Sequence, residues 1–139
     1  MGIGETGEPD PTERKEQGAM AKIIFNCSHG QEDPERAILP FVAANVAATA
    51  GQDAIVLLTV EGAWLCTKGY SDPIKKQGFP DLQPLIMEFV ENGGQIWGCG
   101  ACTNPRGITE DDLVKGATIV GAAKVVEEIV QGATPVAFA

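Results

Sequence analysis

Residues 53–60 read Asp-Ala-Ile-Val-Leu-Leu-Thr-Val, with five apolar side chains in succession after the aspartate. A strand with one face in water alternates apolar and polar residues. A strand apolar at every position is covered on both faces, as in a parallel sheet between two helical layers. Lys22–Cys27 (Lys-Ile-Ile-Phe-Asn-Cys) is a second short apolar run of strand length. Between the two runs lies a helix signature. Asp33 stands at the N-cap, Pro34 at the first helical position and Glu35 in the first turn. Ile38, Phe41, Val42, Val46 and Thr49 follow at helical spacing, and Gly51 ends the pattern. Pro40 predicts the loss of one helical hydrogen bond and a kink near the start.

The alternation continues downstream. Residues 61–66 predict a loop or short helix, and the Gly/Pro/Lys-rich residues 67–80 a surface loop. Leu82, Leu85, Ile86, Phe89 and Val90 form an amphipathic helix closed by Asn92-Gly93-Gly94. A third strand, ending at Gly98, runs into Cys99-Gly100-Ala101-Cys102. Asn104-Pro105-Arg106-Gly107 predicts a turn there, and Thr109 caps the acidic stretch 110–112. Residues 117–120 give a short fourth strand. Val125, Val126, Ile129 and Val130 give a last helix closed by Gly132, and residues 135–138 a terminal strand. Strands alternating with helices imply right-handed crossovers and a three-layer α/β/α sandwich with a mostly parallel five-stranded sheet.

Residues 1–20 fall outside this pattern. They combine Gly, Pro and charge without apolar periodicity and predict a flexible extension, leaving 21–139 as one domain. That extension holds five acidic and two basic residues of a chain whose net charge is −9. The balance argues against nucleic acid or an anionic membrane as the main partner, because both require basic surface. No apolar run approaches the roughly 18 residues of a membrane span, and no secretory signal is visible. A cytoplasmic protein is therefore expected. Cys27, Cys66, Cys99 and Cys102 are then expected to be free, catalytic or metal-bound rather than structural disulfides. Neither GxGxxG nor GxxxxGK[ST] occurs, so no nucleotide fingerprint is present and no cofactor is indicated.

Cys99 and Cys102 lie where a strand delivers its C-terminal end into a loop, the edge at which open parallel sheets bind ligands. Thiols at this spacing serve thiol–disulfide exchange, metal ligation or sulfur carriage. A thioredoxin-like reading is weakened because that motif opens a helix after an early strand. A soft-metal reading takes Cys99 and Cys102 with Cys27 or His29 as further ligands. A reactive thiolate at Cys99 would gain from backbone N–H groups of the turn and from positive charge on Arg106. Glu61 follows the second strand and reaches the same edge, or is a solvated acid at a helix start. His29, the single histidine, is a candidate base or ligand, or an exposed loop residue.

The opening strand with Asp33-Pro34-Glu35-Arg36-Ala37, the Val60-Glu61-Gly62 strand end, and Ile96-Trp97-Gly98-Cys99-Gly100-Ala101-Cys102 running to Arg106-Gly107-Ile108 resemble the DsrE/DsrF-like (YchN-like) family of small sulfur-metabolism proteins. The resemblance covers roughly residues 21–139. It implies the same sandwich and assembly into homo- or hetero-oligomers, commonly trimers or hexamers. In sulfur-relay members one cysteine accepts a persulfide sulfur and passes it on, and Cys99 matches that cysteine by its spacing to Arg106-Gly107. Cys102 stands where those members lack cysteine, so it would resolve a Cys99 persulfide or ligate a metal. The expected function is a sulfur carrier holding a persulfide on Cys99, with donor and acceptor proteins as partners. The alternatives are a soft-metal-binding module or a noncatalytic oligomeric scaffold.

Overall fold

The computed structural model describes residues 20–138. The expectation of a flexible extension concerns residues that, Met20 apart, lie outside this range. Five strands, β1 (Lys22–Cys27), β2 (Asp53–Leu58), β3 (Gln95–Cys99), β4 (Ala117–Val120) and β5 (Thr134–Ala137), form one sheet in the order β4-β3-β2-β1-β5. Every pairing between them is parallel. Helices α1 (Pro34–Thr49), α2 (Leu82–Glu91), the single turn α3 (Gly100–Thr103) and α4 (Ala122–Val130) complete the fold.

Topology explains the layers. The chain steps in one direction from β1 to β4, so right-handed crossovers place α1 and α2 on one face. It then returns across the sheet to add β5 beside β1, which places α4 on the other. Strand alternation sorts the side chains accordingly. Phe25, Cys27, Val56, Leu58 and Ile96 pack with Ile38 and Phe41 of α1 and Leu82 and Phe89 of α2. Phe41 and Phe89 meet edge to face at 5.9 Å between ring centroids. The second core is smaller: Ile24, Ile55 and Trp97 with Ala133, and Val125 packed against them. Glu128 of α4 is buried, but bound by Lys22 of β1 at 2.7 Å and Lys124 at 2.9 Å. The hydrogen bond from Lys22 leads the effects that hold its carboxyl below the usual range.

Some local expectations hold in the structure and others change. The helix from Pro34 runs through Pro40 to Thr49, with the Asp33 carboxylate accepting the Arg36 N–H at its start. β2 stops at Leu58 rather than running to Val60, and Val60 instead opens a 3₁₀ helix, Val60–Cys66. The loop at 67–80 is anchored by Ile74, whose side chain is buried in the core. Asn104–Arg106 is a 3₁₀ turn continuing α3 rather than leaving it, and Gly107 ends it in the left-handed region at φ 71°. The Cys-Gly-Ala-Cys segment thus opens a helical turn after all. Tertiary contacts of Thr103 and Ile108 with the core stabilise that turn where local propensity does not. Thr109 and Asp112 do form a capping box, on one 3₁₀ turn.

Candidate functional site

The C-terminal ends of β1, β2 and β3 deliver Cys27 to Glu32, Thr59 to Gly62, and Cys99 to Arg106 to one rim of the sheet. Cys99 pairs with Val120 of β4. The segment after β3 turns onto the α1/α2 face, whereas the segment after β4 enters α4 on the opposite face. Cys99 therefore sits at the point where neighbouring connections diverge, which in open α/β sheets leaves a crevice. It caps α3 without a side-chain hydrogen bond to it. Alternation along β3 places it on the side of Trp97. Cys102 packs against the larger core instead. Both thiols are half-buried and free.

Two hydrogen bonds hold Cys102, and a third braces them. The Val60 N–H donates to its sulfur at 3.1 Å. The Arg106 guanidinium donates from Nη1 to the Cys102 carbonyl at 3.0 Å and from Nη2 to Glu61 Oε1 at 3.1 Å. Arg106, Glu61 and Cys102 thus come together as the sequence suggests. The guanidinium braces the turn at Cys102, however, and not the Cys99 sulfur for which its charge was expected. Val60 is the one non-glycine residue with positive φ, at 53°, among the described residues. For a β-branched side chain this conformation is an outlier costing on the order of 1–3 kcal/mol. The N–H of this same residue faces the Cys102 sulfur. Gly62 lets this turn lie on β1: a Cβ there would fall inside the van der Waals shell of the Cys27 carbonyl oxygen.

The His29 imidazole lies on the β1 side of the rim, with Nδ1 at 2.6 Å from Glu32 Oε2. Burial pushes the Glu32 carboxyl up, but the Gly30 N–H and the His29 ring outweigh it and hold it below the usual range. Tyr70 stacks on Trp64 at 6.0 Å, and its hydroxyl accepts the Gln31 N–H at 2.8 Å. Burial, then the charges of Glu61 and Glu32, push the phenol up, while the Gln31 N–H and, less strongly, Arg106 lower it. Tyr70 thus lies near the Glu61–Arg106 pair. Neither Val60 nor Tyr70 stands out in the sequence as a site residue. The only signal is that Tyr70 is the chain's single tyrosine, set in a Gly-rich loop.

Cys27 and Cys66 are not part of this constellation. Burial pushes the Cys27 thiol up to about 12, and its sulfur faces the His29 and Ala37 carbonyls at 3.6 and 3.7 Å. Burial likewise pushes Cys66 up to about 11, with its thiol donating to the Ala63 carbonyl at 3.1 Å. Among the described residues no three His, Cys, Asp or Glu side chains gather as a metal-binding group. The ligand set of Cys99 and Cys102 with Cys27 or His29 is therefore not assembled. Alkylation of the native protein is expected to modify Cys99 and Cys102 and spare Cys27 and Cys66, checked by peptide mass spectrometry before and after unfolding. The two buried thiols also predict an alkaline limit. Each stays protonated in the fold above pH 9, where the unfolded chain loses the proton. Their contribution to stability is complete below pH 9 and declines as pH rises through 11 to 12. Urea midpoints across that window should fall, and a flat profile would contradict the assignment.

Comparison with known proteins agrees with this architecture. The chain is 33% identical over 113 residues to an uncharacterized protein of Methanocaldococcus jannaschii, a match covering 78% of this chain but only 41% of that longer protein. It is 27% identical over 97 residues to an uncharacterized protein of Methanopyrus kandleri, covering 70% of this chain and 74% of the other. The fold is similar to the ychN protein of E. coli, with TM-score 0.71 and 16% identity over 86% of this chain and all of that one. It is also similar to a protein of unknown function from Methanobacterium thermoautotrophicum, with TM-score 0.68 and 15% identity over 85% and 99%. The model of the DsrE/DsrF-like family matches residues 21–138, nearly the whole described chain, and the protein belongs to that family.

Proposed function

We propose that this protein is a sulfur carrier that holds a persulfide on Cys99 and passes its outer sulfur to an acceptor thiol. The observation that carries this reading is the pairing of two free, half-buried thiols on the rim of a parallel sheet, one at a divergence of connections and one held by a backbone N–H. The Cys99 thiolate attacks a donor persulfide, and an acceptor thiolate later removes the transferred sulfur. Exchange of this kind depends on thiolate character and access. Arg106 and Glu61 fix the turn that carries Cys102. The donor set favours this over a closed soft-metal site, because the third and fourth ligands such a site needs do not gather. The proposed partners are donor and acceptor proteins, and the proposed setting is the cytoplasm, where thiols stay reduced. The test is incubation with a cysteine desulfurase and cysteine, followed by intact mass. A gain of one sulfur that a reductant removes is expected, and no gain would refute the reading.

We also propose a homo-oligomer. The outer face of α4 leaves Val126, Ile129 and Val130 at 59%, 38% and 79% exposure, an apolar stripe on the thinly covered side of the sheet. Size-exclusion chromatography with light scattering should give a multiple of 14.6 kDa. Val130→Asp should shift the population toward monomer, because a charge buried without a partner opposes association. A wild-type monomer at micromolar concentration would contradict this.

A further inference from the structure

Resting on the sulfur-carrier reading, we propose that Cys102 is a second station for the sulfur and that the Val60 backbone N–H is its positioning group. Sulfur taken up by Cys99 moves to Cys102 within the same chain. A β-branched residue at φ 53° adopts a disfavoured conformation, and its N–H is directed at the Cys102 sulfur at 3.1 Å. Other contacts reinforce this arrangement. Arg106 ties the Cys102 carbonyl to Glu61, the residue after Val60, so the two turns are joined on both sides of the N–H···S contact. Gly62 seats the Val60 turn on the Cys27 carbonyl. Cys99 has no such support, since it makes no side-chain hydrogen bond to the helix it caps. An unheld thiol suits capture from a donor, and a held one suits reception at a fixed place.

Cys99 caps α3 and Cys102 is its third residue, so one short segment carries both sulfurs. The Cys102 thiolate attacks the outer sulfur of the Cys99 persulfide. The bond between that sulfur and Cys99 Sγ breaks, and its electron pair remains on Cys99 Sγ, which leaves as a thiolate. One S–S bond forms as one breaks, the proton count is unchanged, and no oxidant or reductant takes part. The negative charge passes from Cys102 Sγ to Cys99 Sγ. The Val60 N–H orients the attacking sulfur and opposes its drift from that line. The competing course, attack on Cys99 Sγ itself, would expel hydrosulfide and leave a Cys99–Cys102 disulfide that an external dithiol would have to reduce.

The test uses the full chain loaded with inorganic polysulfide, trapped with an alkylating agent at successive times and read by fragment mass spectrometry. Persulfide is expected first on Cys99, then on Cys102 as the Cys99 signal declines. Replacing Val60 with its α-hydroxy analogue makes the 59–60 linkage an ester, which keeps the side chain and removes only the N–H. At early times the ratio of Cys102 to Cys99 persulfide should then fall roughly tenfold, because the attacking sulfur is no longer held in line for the exchange. Val60→Gly keeps the N–H and accepts positive φ, so it should retain the transfer and separate donor loss from misfolding. Persulfide confined to Cys99, a disulfide with released hydrosulfide, or an unchanged ratio in the ester variant would overturn the proposal while leaving the carrier reading intact. No persulfide on any cysteine would overturn both.

Discussion

Cys99→Ser should reduce persulfide loading to background. A serine hydroxyl is not ionised near neutral pH and forms no stable bond to sulfane sulfur, so the variant cannot accept the sulfur. The fold should survive, because Cys99 is half-buried and contributes no side-chain hydrogen bond to α3. Cys102→Ser should act differently. Loading should proceed, but the Cys99 persulfide should persist longer because its nearest acceptor is gone. Cys27→Ser and Cys66→Ser should leave loading intact, since both thiols are enclosed by the core and bonded to backbone carbonyls. The measurement is sulfur transfer from a desulfurase to each of the four variants, with alkylation and mass spectrometry. Loading of Cys99→Ser at the wild-type level would end the sulfur-carrier reading. A soft-metal module predicts instead that Cys99→Ser and Cys102→Ser both lower metal occupancy and stability.

The fold was legible because burial on two faces leaves a plain mark. Residues 54–58 are apolar in succession, and β2 is the middle strand of the sheet, with a core on each face. Asp33-Pro34 likewise announced α1 through cap chemistry that acts over a few residues. Expectations failed where tertiary contacts outweighed local preference. Val60 continues an apolar run and is β-branched, both strand signals, yet it adopts positive φ. Nothing local encodes that turn, because the groups that define it lie far along the chain at Cys27, Cys102 and Arg106. Asn104-Pro105-Arg106-Gly107 has the composition of a turn, but it extends a helix whose first residues follow β3.

The candidate site shows the same division. The spacing of the two cysteines and of Arg106 was visible, and the structure brings Glu61 to Arg106 as the strand end suggested. Which thiol each group serves was not visible. Sequence proximity suggested that Arg106 would act on Cys99, but one helical turn carries the guanidinium to the Cys102 carbonyl. His29 and Cys27 also reach the rim, yet the β1 end turns Cys27 inward and pairs His29 with Glu32. Distances between loops at the ends of different strands depend on sheet order and register, which residue spacing along one chain does not report.

Gly62→Ala should be among the most damaging single-methyl additions in the molecule. The glycine has no unusual φ, so its role is close approach rather than conformational freedom. Its added Cβ would meet the Cys27 carbonyl, with the His29 nitrogen at 3.2 Å beside it. Backbone atoms have no rotamer to yield, and Cys27 is fixed at the end of β1 by its pairing with Leu58. Relief therefore requires the Val60–Cys66 turn to lift from the sheet. Overpacking of this kind costs about 3 kcal/mol, which for a domain of this size lowers Tm by roughly 10 °C. The same displacement would draw the Val60 N–H from the Cys102 sulfur and separate Glu61 from Arg106. Sulfur transfer should therefore fall below that of wild type even well under the melting transition. Urea denaturation and the loading assay, run side by side on Gly62→Ala, measure both effects. A variant with the wild-type midpoint would show that the turn yields freely, and that its close seat on β1 does not hold the thiol site in place.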